Sequence, residues 1–214
     1  MDARVATSSH SFMLSFGRQS RASTRRAVFT LGATLAASIV GFNATRASAD
    51  PGPTDPTVAL TANLESRTLT ITADDSTVVT YPVAIGKSNR PTPRGEFKIR
   101  KIVWNPAWIP PDEDWAKDKK PQPPGAQANP MKLVKIFFKE PDYYIHGTGD
   151  VESLGDAASH GCLRMDPDDA YRVARYLMEH GGAPRDENWF WRILHFRSET
   201  KTVYLDNPIS IRVE

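Results

Sequence analysis

Apolar and polar side chains begin to alternate at Val58, and the alternation predicts strands over "VALTANL" (58–64) and "RTLTITAD" (67–74). The β-branched run "TVVTYPVAIG" (77–86) predicts a third, ending at Gly86. Turn residues at 63–67 and 74–76 separate the runs and no helical stretch intervenes, so they form an expected antiparallel meander. Pro91 and Pro93 stiffen the loop that follows, and Gly95 breaks it before the strand "EFKIRKIV" (96–103). "MKLVKIFF" (131–138) reads as a buried strand leading into "YYIHGTGD" (143–150). Between these two strands, residues 104–130 hold seven prolines and three tryptophans, a length and composition expected of a lid or binding loop.

The pattern changes after residue 165. Asp166 can cap a helix, Pro167 suits its first position, and Asp168 and Asp169 favour the positive end of the dipole. Ala170, Val173, Ala174 and Leu177 recur at helical spacing until Gly181-Gly182, which predicts one clear helix over about 166–180. "NWFWRILHF" (188–196) is a candidate second, short helix, and "KTVYLDNPISIRVE" (201–214) reads as two closing strands about Asn207-Pro208. The whole is mainly β. There is no internal repeat, and neither a GxxxxGK[ST] nor a GxGxxG loop.

The N-terminal stretch follows a different logic. Arg25-Arg26 precedes an apolar run, Ala27 to Phe42, whose 16 residues are diluted by Thr30, Gly32, Thr34 and Ser38. A bilayer-spanning helix takes about 20 mostly apolar residues, which counts against an uncleaved anchor. Ala47-Ser48-Ala49 then offers the small-residue pattern of a signal peptidase site. Residues 1–49 are therefore expected to be a twin-arginine-like signal peptide cleaved after Ala49, delivering the protein to the periplasm or cell wall. Residues 50–56 would be a Pro-rich linker and 57–214 one catalytic domain with no membrane span. Six arginines against one acid make residues 1–49 +5, so of the chain's net +2 the part from Asp50 carries −3. No basic nucleic-acid face is expected on it.

Candidate chemistry centres on "SHGCLRM" (159–165), because Cys162 is the only cysteine of the 214 residues. Exported proteins pair their cysteines or avoid them, so a lone one calls for a reason. A nucleophilic thiol must lose its proton, and a histidine within reach can take it if a third group holds the ring. His160 and His146 compete for that role. His160 lies two residues from Cys162 and is awkwardly constrained, whereas His146, at the end of a strand, can approach from a neighbouring strand; geometry favours His146. Gly161 permits a turn and close approach of a carbonyl, and the amides of Gly161 and Cys162 are candidate oxyanion donors. The helix capped by Asp166 starts four residues past Cys162, too far for its dipole to contribute much to activation.

"IHGT" (145–148) followed by "SHGCLRM" resembles the signature of the L,D-transpeptidases, which cross-link bacterial peptidoglycan. "IGKSNRPTPRGEF" (85–97), "NPAWIPP" (105–111) and "ANPM" (128–131) resemble further motifs of that family in the same order, so the likeness covers roughly residues 57–180. It implies a sandwich-like, mainly β catalytic domain with a Pro/Trp-rich lid. It implies Cys162 as the acyl-accepting nucleophile, His146 as its base, and the Gly147 carbonyl as the group orienting the ring. Ser159, His160, Gly161 and Arg164 would shape the substrate and oxyanion site. Lys132 stands where the resemblance leads one to expect glycine. The implied reaction is two-step acyl transfer from a peptidoglycan stem peptide through a thioester, with another stem or a wall-anchored protein as acceptor. It needs no cofactor and no metal, and the same thiol would be acylated by carbapenems.

Other readings exist for each feature. A free cysteine is ordinarily a small buried hydrophobe, and His146, His160 and Cys162 as a zinc site would lack an evident fourth ligand. His180 suits a helix end, His195 packing or surface, and Trp189, Phe190 and Trp191 the core or a helix face, while Trp108 suits packing within the lid. Water as acceptor would make the same fold an L,D-carboxypeptidase. A non-catalytic wall-binding protein is the reading from outside enzymology.

Overall fold

The computed structural model describes residues 56–214. The expected signal peptide at 1–49, its cleavage site and all but the last residue of the 50–56 linker lie outside the described residues. The chain runs through β1 (Val58–Asn63), β2 (Thr68–Ala73), β3 (Ser76–Pro82), β4 (Ile85–Gly86), β5 (Gly95–Trp104), β6 (Val134–Lys139) and β7 (Tyr143–Gly147). It continues through β8 (Ala157–Ser159), β9 (Leu163–Met165), α1 (Pro167–His180), α2 (Glu187–His195) and β10 (Lys201–Val213).

The architecture is mainly β, as the alternation predicts. Eight strands join in one mixed sheet of order β3-β2-β1-β10-β5-β6-β7-β9, curled until it is nearly closed and barrel-like, and β4 pairs with β8 beside it. The meander β1-β2-β3 is antiparallel, Leu60 against Ile71 and Ile71 against Val79, with a register shift between β2 and β3 after Ile71. Three pairings are parallel, β1 with β10, β7 with β9, and β4 with β8. The second builds the site.

Three elements differ in extent from the expectation. The run 77–86 is broken, because Pro82 closes β3 at the sheet's edge, where a missing N–H is tolerated, and β4 is a separate short piece. β6 starts at Val134 because Asn129 and the left-handed Lys132 (φ 52°) still turn the chain before it. Lys201–Val213 form one strand where two were expected over 201–214. Pro208 offers no N–H to a ladder, and the chain absorbs it in a bulge between Tyr204 and Ile209, after which pairing with β5 resumes. The bulge docks on the end of α1 through the Asn207 amide, which donates to the Gly181 carbonyl.

Helix α1 forms where its cap signals place it. The Asp166 side chain accepts from the amides of Asp168 (2.8 Å) and Asp169 (3.4 Å), and Ala170, Val173, Ala174, Leu177 and Met178 are buried against the sheet. The second helix, α2, is capped by Asp186 on the Trp189 amide at 2.7 Å and buries Phe190 and Ile193. Both helices close over Trp104, which is fully buried with the rings of Tyr171, Trp189 and Phe190 edge-on at 5.6–5.8 Å. Its indole N–H donates to Met178 Sδ. Trp191 and His195 lie outward, stacked on each other at the surface.

Candidate active site

Residues that pair across parallel strands point to the same face. Ile145 pairs with Leu163, His146 with Arg164 and Gly147 with Met165. Ile145, Leu163 and Met165 are wholly buried on the core side, so the opposite face carries His146 and Arg164, with Tyr144 and Cys162 one alternation away. Strand β6 adds Lys135 beside His146 and Phe137 beside Tyr144 on that face. Cys162 sits opposite Tyr144, one step before the first paired residue of β9. Strands about 4.8 Å apart with a rise of about 3.3 Å per residue separate the Cα atoms of Cys162 and His146 by roughly 8 Å.

The turn before β9 is held from within. The Ser159 hydroxyl donates to the Cys162 carbonyl at 2.6 Å and accepts from the Gly161 amide at 3.0 Å. The Gly161 amide, an expected oxyanion donor, is therefore already engaged. Gly161 has φ of 113°, and a Cβ there would stand 2.8 Å from the Tyr143 ring, so a side chain is excluded on both counts. Gly147 is needed for closeness rather than conformation, since a Cβ would meet Pro167 of α1 at 2.9 Å.

His146 is buried and its Nδ1 lies 2.7 Å from the Gly147 carbonyl. That carbonyl can only accept, so Nδ1 carries the proton and Nε2 is left as the acceptor. Burial pushes the imidazole down to about 3; the Gly147 and Pro130 carbonyls pull it back in part, and the charges of Arg164 and Lys135 add to the fall. Burial likewise pushes the Cys162 thiol up to about 11, against the Tyr144 amide and phenol and then Lys135 and Arg164, which favour the thiolate. The side chain is still partly exposed to an incoming group. The resting pair is thus neutral imidazole and neutral thiol, with the S–H donated to the Asp142 carbonyl at 3.3 Å.

His160 is placed otherwise. Its ring lies flat under Trp115 of the 105–133 connection, centroids 3.9 Å apart and planes within 7°. The connection is tied down by two asparagines. The Asn105 amide donates to the Ile193 carbonyl (2.9 Å), and the Asn129 amide to the carbonyls of Pro106 (2.8 Å) and Pro123 (3.1 Å). Trp108 and Gln122 exchange backbone hydrogen bonds of 2.8–2.9 Å within it, and an Arg90–Glu113 ion pair closes it onto the 87–94 loop. Trp108 is buried in this connection. Beneath it lies a cavity of about 510 Å³ lined by Trp108, Trp115, Lys119, Lys120, His160 and Arg164.

The structure thus brings Cys162, His146, Gly147, Ser159, Gly161 and Arg164 together at the β7–β9 edge, with His160 facing the lid. Sequence reasoning passed over Tyr144, Lys135 and Trp115. The first two were signalled by alternation, Tyr144 on the strand of His146 and Lys135 on the strand beside it, at positions that share its face; Trp115 had no local signal. Among the described residues no group of three or more His, Cys, Asp or Glu side chains could hold a metal ion, and no helix is long and apolar enough to cross a membrane.

Comparison with known proteins identifies the family. The family model described as YkuD, the L,D-transpeptidase catalytic domain, matches residues 57–194, well over half of the chain. The provisionally named L,D-transpeptidase YkuD of Bacillus licheniformis is 33% identical over 115 residues, covering 54% of this chain and 57% of that protein. The provisionally named L,D-transpeptidase YqjB of Bacillus subtilis is 34% identical over 129 residues, covering 58% and 67%. A solved L,D-transpeptidase from Mycobacterium smegmatis superposes with a TM-score of 0.47 at 19% identity, over 74% of this chain and 59% of that one. The chain thus spans a little over half the length of the first of these relatives. It belongs to the L,D-transpeptidase catalytic-domain family, a family of cysteine acyltransferases that acts on peptidoglycan.

Proposed function

We propose that residues 57–214 are an exported cysteine L,D-transpeptidase that transfers an acyl group from one peptidoglycan stem peptide to an amine. The reading is carried by one arrangement: His146, its Nδ1–H on the Gly147 carbonyl at 2.7 Å, shares a sheet face with Cys162. Burial keeps the resting imidazole neutral and the resting thiol protonated, so the proton moves from sulfur to Nε2 as the carbon–sulfur bond forms rather than beforehand. In the first step His146 Nε2 takes the S–H proton as the sulfur attacks the carbonyl of the third stem residue. The bond to the terminal D-alanine breaks, and its nitrogen leaves with the proton that His146 returns. In the second step an amine attacks the thioester and gives its proton to His146 Nε2, the carbon–sulfur bond breaks, and the sulfur takes that proton back as the thiol. Ser159 and Gly161 hold the turn that presents the sulfur. Arg164, with Lys119 and Lys120 of the cavity, suits the carboxylates of the stem, and His160 with Trp115 walls the approach. The amine is that of a second stem or of a wall-linked protein. Export is supported by the Arg25-Arg26 pair and Ala47-Ser48-Ala49.

Purified protein incubated with tetrapeptide muropeptides should form dimers linked through the third residue, and Cys162→Ala should abolish both dimer and D-alanine release. Trimmed monomers without dimers would overturn transfer in favour of hydrolysis, and turnover persisting in Cys162→Ala would overturn the nucleophile. Meropenem should add its mass to Cys162 and to no other residue.

A further inference from the structure

The sulfur has a neighbour that the acyl-transfer scheme leaves unused. Tyr144 lies opposite Cys162 where β7 meets the turn into β9, on the face that His146 and Arg164 also occupy. The thiol's contact with the Asp142 carbonyl at 3.3 Å places the sulfur over the entry of β7. Of the groups around the sulfur, the amide and the phenol of Tyr144 favour its thiolate most. The ring is fixed on three sides: Phe137 at 5.2 Å, His146 at 5.5 Å, and the Lys135 ammonium 4.6 Å over its face.

The two contacts of the sulfur respond oppositely to deprotonation. A thiolate has no proton to give the Asp142 carbonyl, so that bond is lost and the oxygen then faces a negative sulfur. A donor aimed at the sulfur gains, because hydrogen bonds to a charged acceptor are roughly twice as strong as neutral ones. We propose that Tyr144 is a catalytic residue of this domain, its phenol donating to the Cys162 sulfur and holding the thiolate in line for attack once His146 has taken the proton. The proposal rests on the acyl-transfer reading above and deepens it. In the step, the S–H bond breaks, its proton passes to His146 Nε2, and the sulfur's electron pair forms the bond to the carbonyl carbon. Tyr144 keeps its own proton throughout.

The surroundings keep the phenol a donor. Burial, and then the charge and hydrogen bond of Cys162, raise Tyr144 above the ordinary phenol range, with Asp142 adding to the rise. Lys135, its own pKa lowered first by burial and then by Lys101 and drawn back up by Cys162, supplies positive potential to the same spot. The charged and titratable groups that act on the sulfur are therefore Tyr144 on β7, Lys135 on β6 and Arg164 on β9, with Asp142 acting on Tyr144 at the mouth and His146 on the same sheet face.

Tyr144→Phe removes one oxygen and leaves the ring stacking intact. Two readouts apply to the full chain: the pH midpoint for alkylation of Cys162 by iodoacetamide, followed by intact mass, and the rate of thioester formation with a tetrapeptide stem. The midpoint should rise by about one unit and acylation should slow roughly ten- to hundredfold, the range for a hydrogen bond to a charged group. Substituting 3-fluorotyrosine for Tyr144, which keeps the fold and strengthens the donor, should move the midpoint down. An unmoved midpoint in both variants overturns the proposal, even if acylation slows, because a packing role would leave the thiol's titration alone. Cys162→Ala separates the two levels: acyl transfer surviving in it would sink the proposed function itself, whereas its loss together with a Tyr144→Phe enzyme of wild-type rate and midpoint would sink only Tyr144.

Discussion

On β7, His146 is buried between strands with its ring proton on a neighbouring carbonyl; beyond the next turn, His160 lies partly open under the Trp115 ring of a connection some 45 residues upstream. The first environment is made of ladder hydrogen bonds and core contacts, which hold a ring to one tautomer and one position. The second is a stacking contact between two loops, which fixes a surface but no proton. In the proposed function, the sheet edge would hold what must be exact, and the connection over His160 what must admit and release a ligand. Both rings are pushed down by burial, but His146 reaches about 3 whereas His160, closer to water, is only lowered, with Arg164, Lys87 and Arg90 assisting.

The sharpest way to break this comparison is to exchange the histidines in turn. His146→Gln should lower kcat with a tetrapeptide donor by roughly a hundred- to ten-thousandfold, the usual range for loss of a general base. His160→Gln should lower kcat less than tenfold and act mainly on KM. If the two variants lose kcat equally, the division of labour between sheet and lid is wrong.

The next effect is on stability. His146 has a folded pKa below its unfolded one, so the stability its neutral form contributes is complete above about pH 6.5 and is lost as pH falls toward about 3. Between pH 7 and pH 4 the wild type should lose roughly 3 kcal/mol more than His146→Gln, measured by denaturant unfolding at both values. Equal losses would mean that the ring is not desolvated in the fold. Cys162 works in the other direction: its raised pKa favours the folded thiol below pH 9, and that contribution fades as pH rises through about 11.

How far this arrangement could be read from residues alone follows from the same distinction. Helix α1 was legible because its cap, proline and apolar spacing are local, and the meander because turn residues separate alternating runs. The expectation that Cys162 works with His146 came from chemistry alone, one lone thiol and two nearby imidazoles. The strand that would bring them together, β9, has three residues and no room for a period. The single strand β10 was misread as two because Pro208 punctuates a sequence, whereas a bulge and the Gly181 carbonyl absorb it in space. The Trp115–His160 stack depends on loops meeting across the molecule, and no periodicity reports that.

A smaller effect tests the lid directly. Trp115→Ala removes a stacked pair of the kind worth about 0.5–1.5 kcal/mol. Substrate KM should rise about two- to tenfold, with kcat changing less. The iodoacetamide pH midpoint of Cys162 should stay where it is, because Trp115 touches His160 and not the sulfur's donors. A shifted midpoint would mean that the lid also sets the thiol's environment.

The smallest effect lies where lid and sheet join. Lys132 occupies the left-handed region at φ 52°, where the resemblance to other family members leads one to expect glycine, and its Nζ reaches the Gln127 carbonyl at 3.0 Å. A side chain in that conformation costs about 1–2 kcal/mol. Glycine relieves the strain, but it gives up an exposed hydrogen bond and adds about 0.4–1 kcal/mol of freedom to the unfolded chain. The terms nearly cancel. Lys132→Gly should therefore unfold within about 1 kcal/mol of the wild type, on the stable side, while Lys132→Val, β-branched and intolerant of positive φ, should be less stable than both. A Lys132→Gly protein weaker by more than that would show that the lysine stem, which packs over Gly147 and Gly149, anchors the lid to the strand of His146 and has taken over a holding role from the backbone.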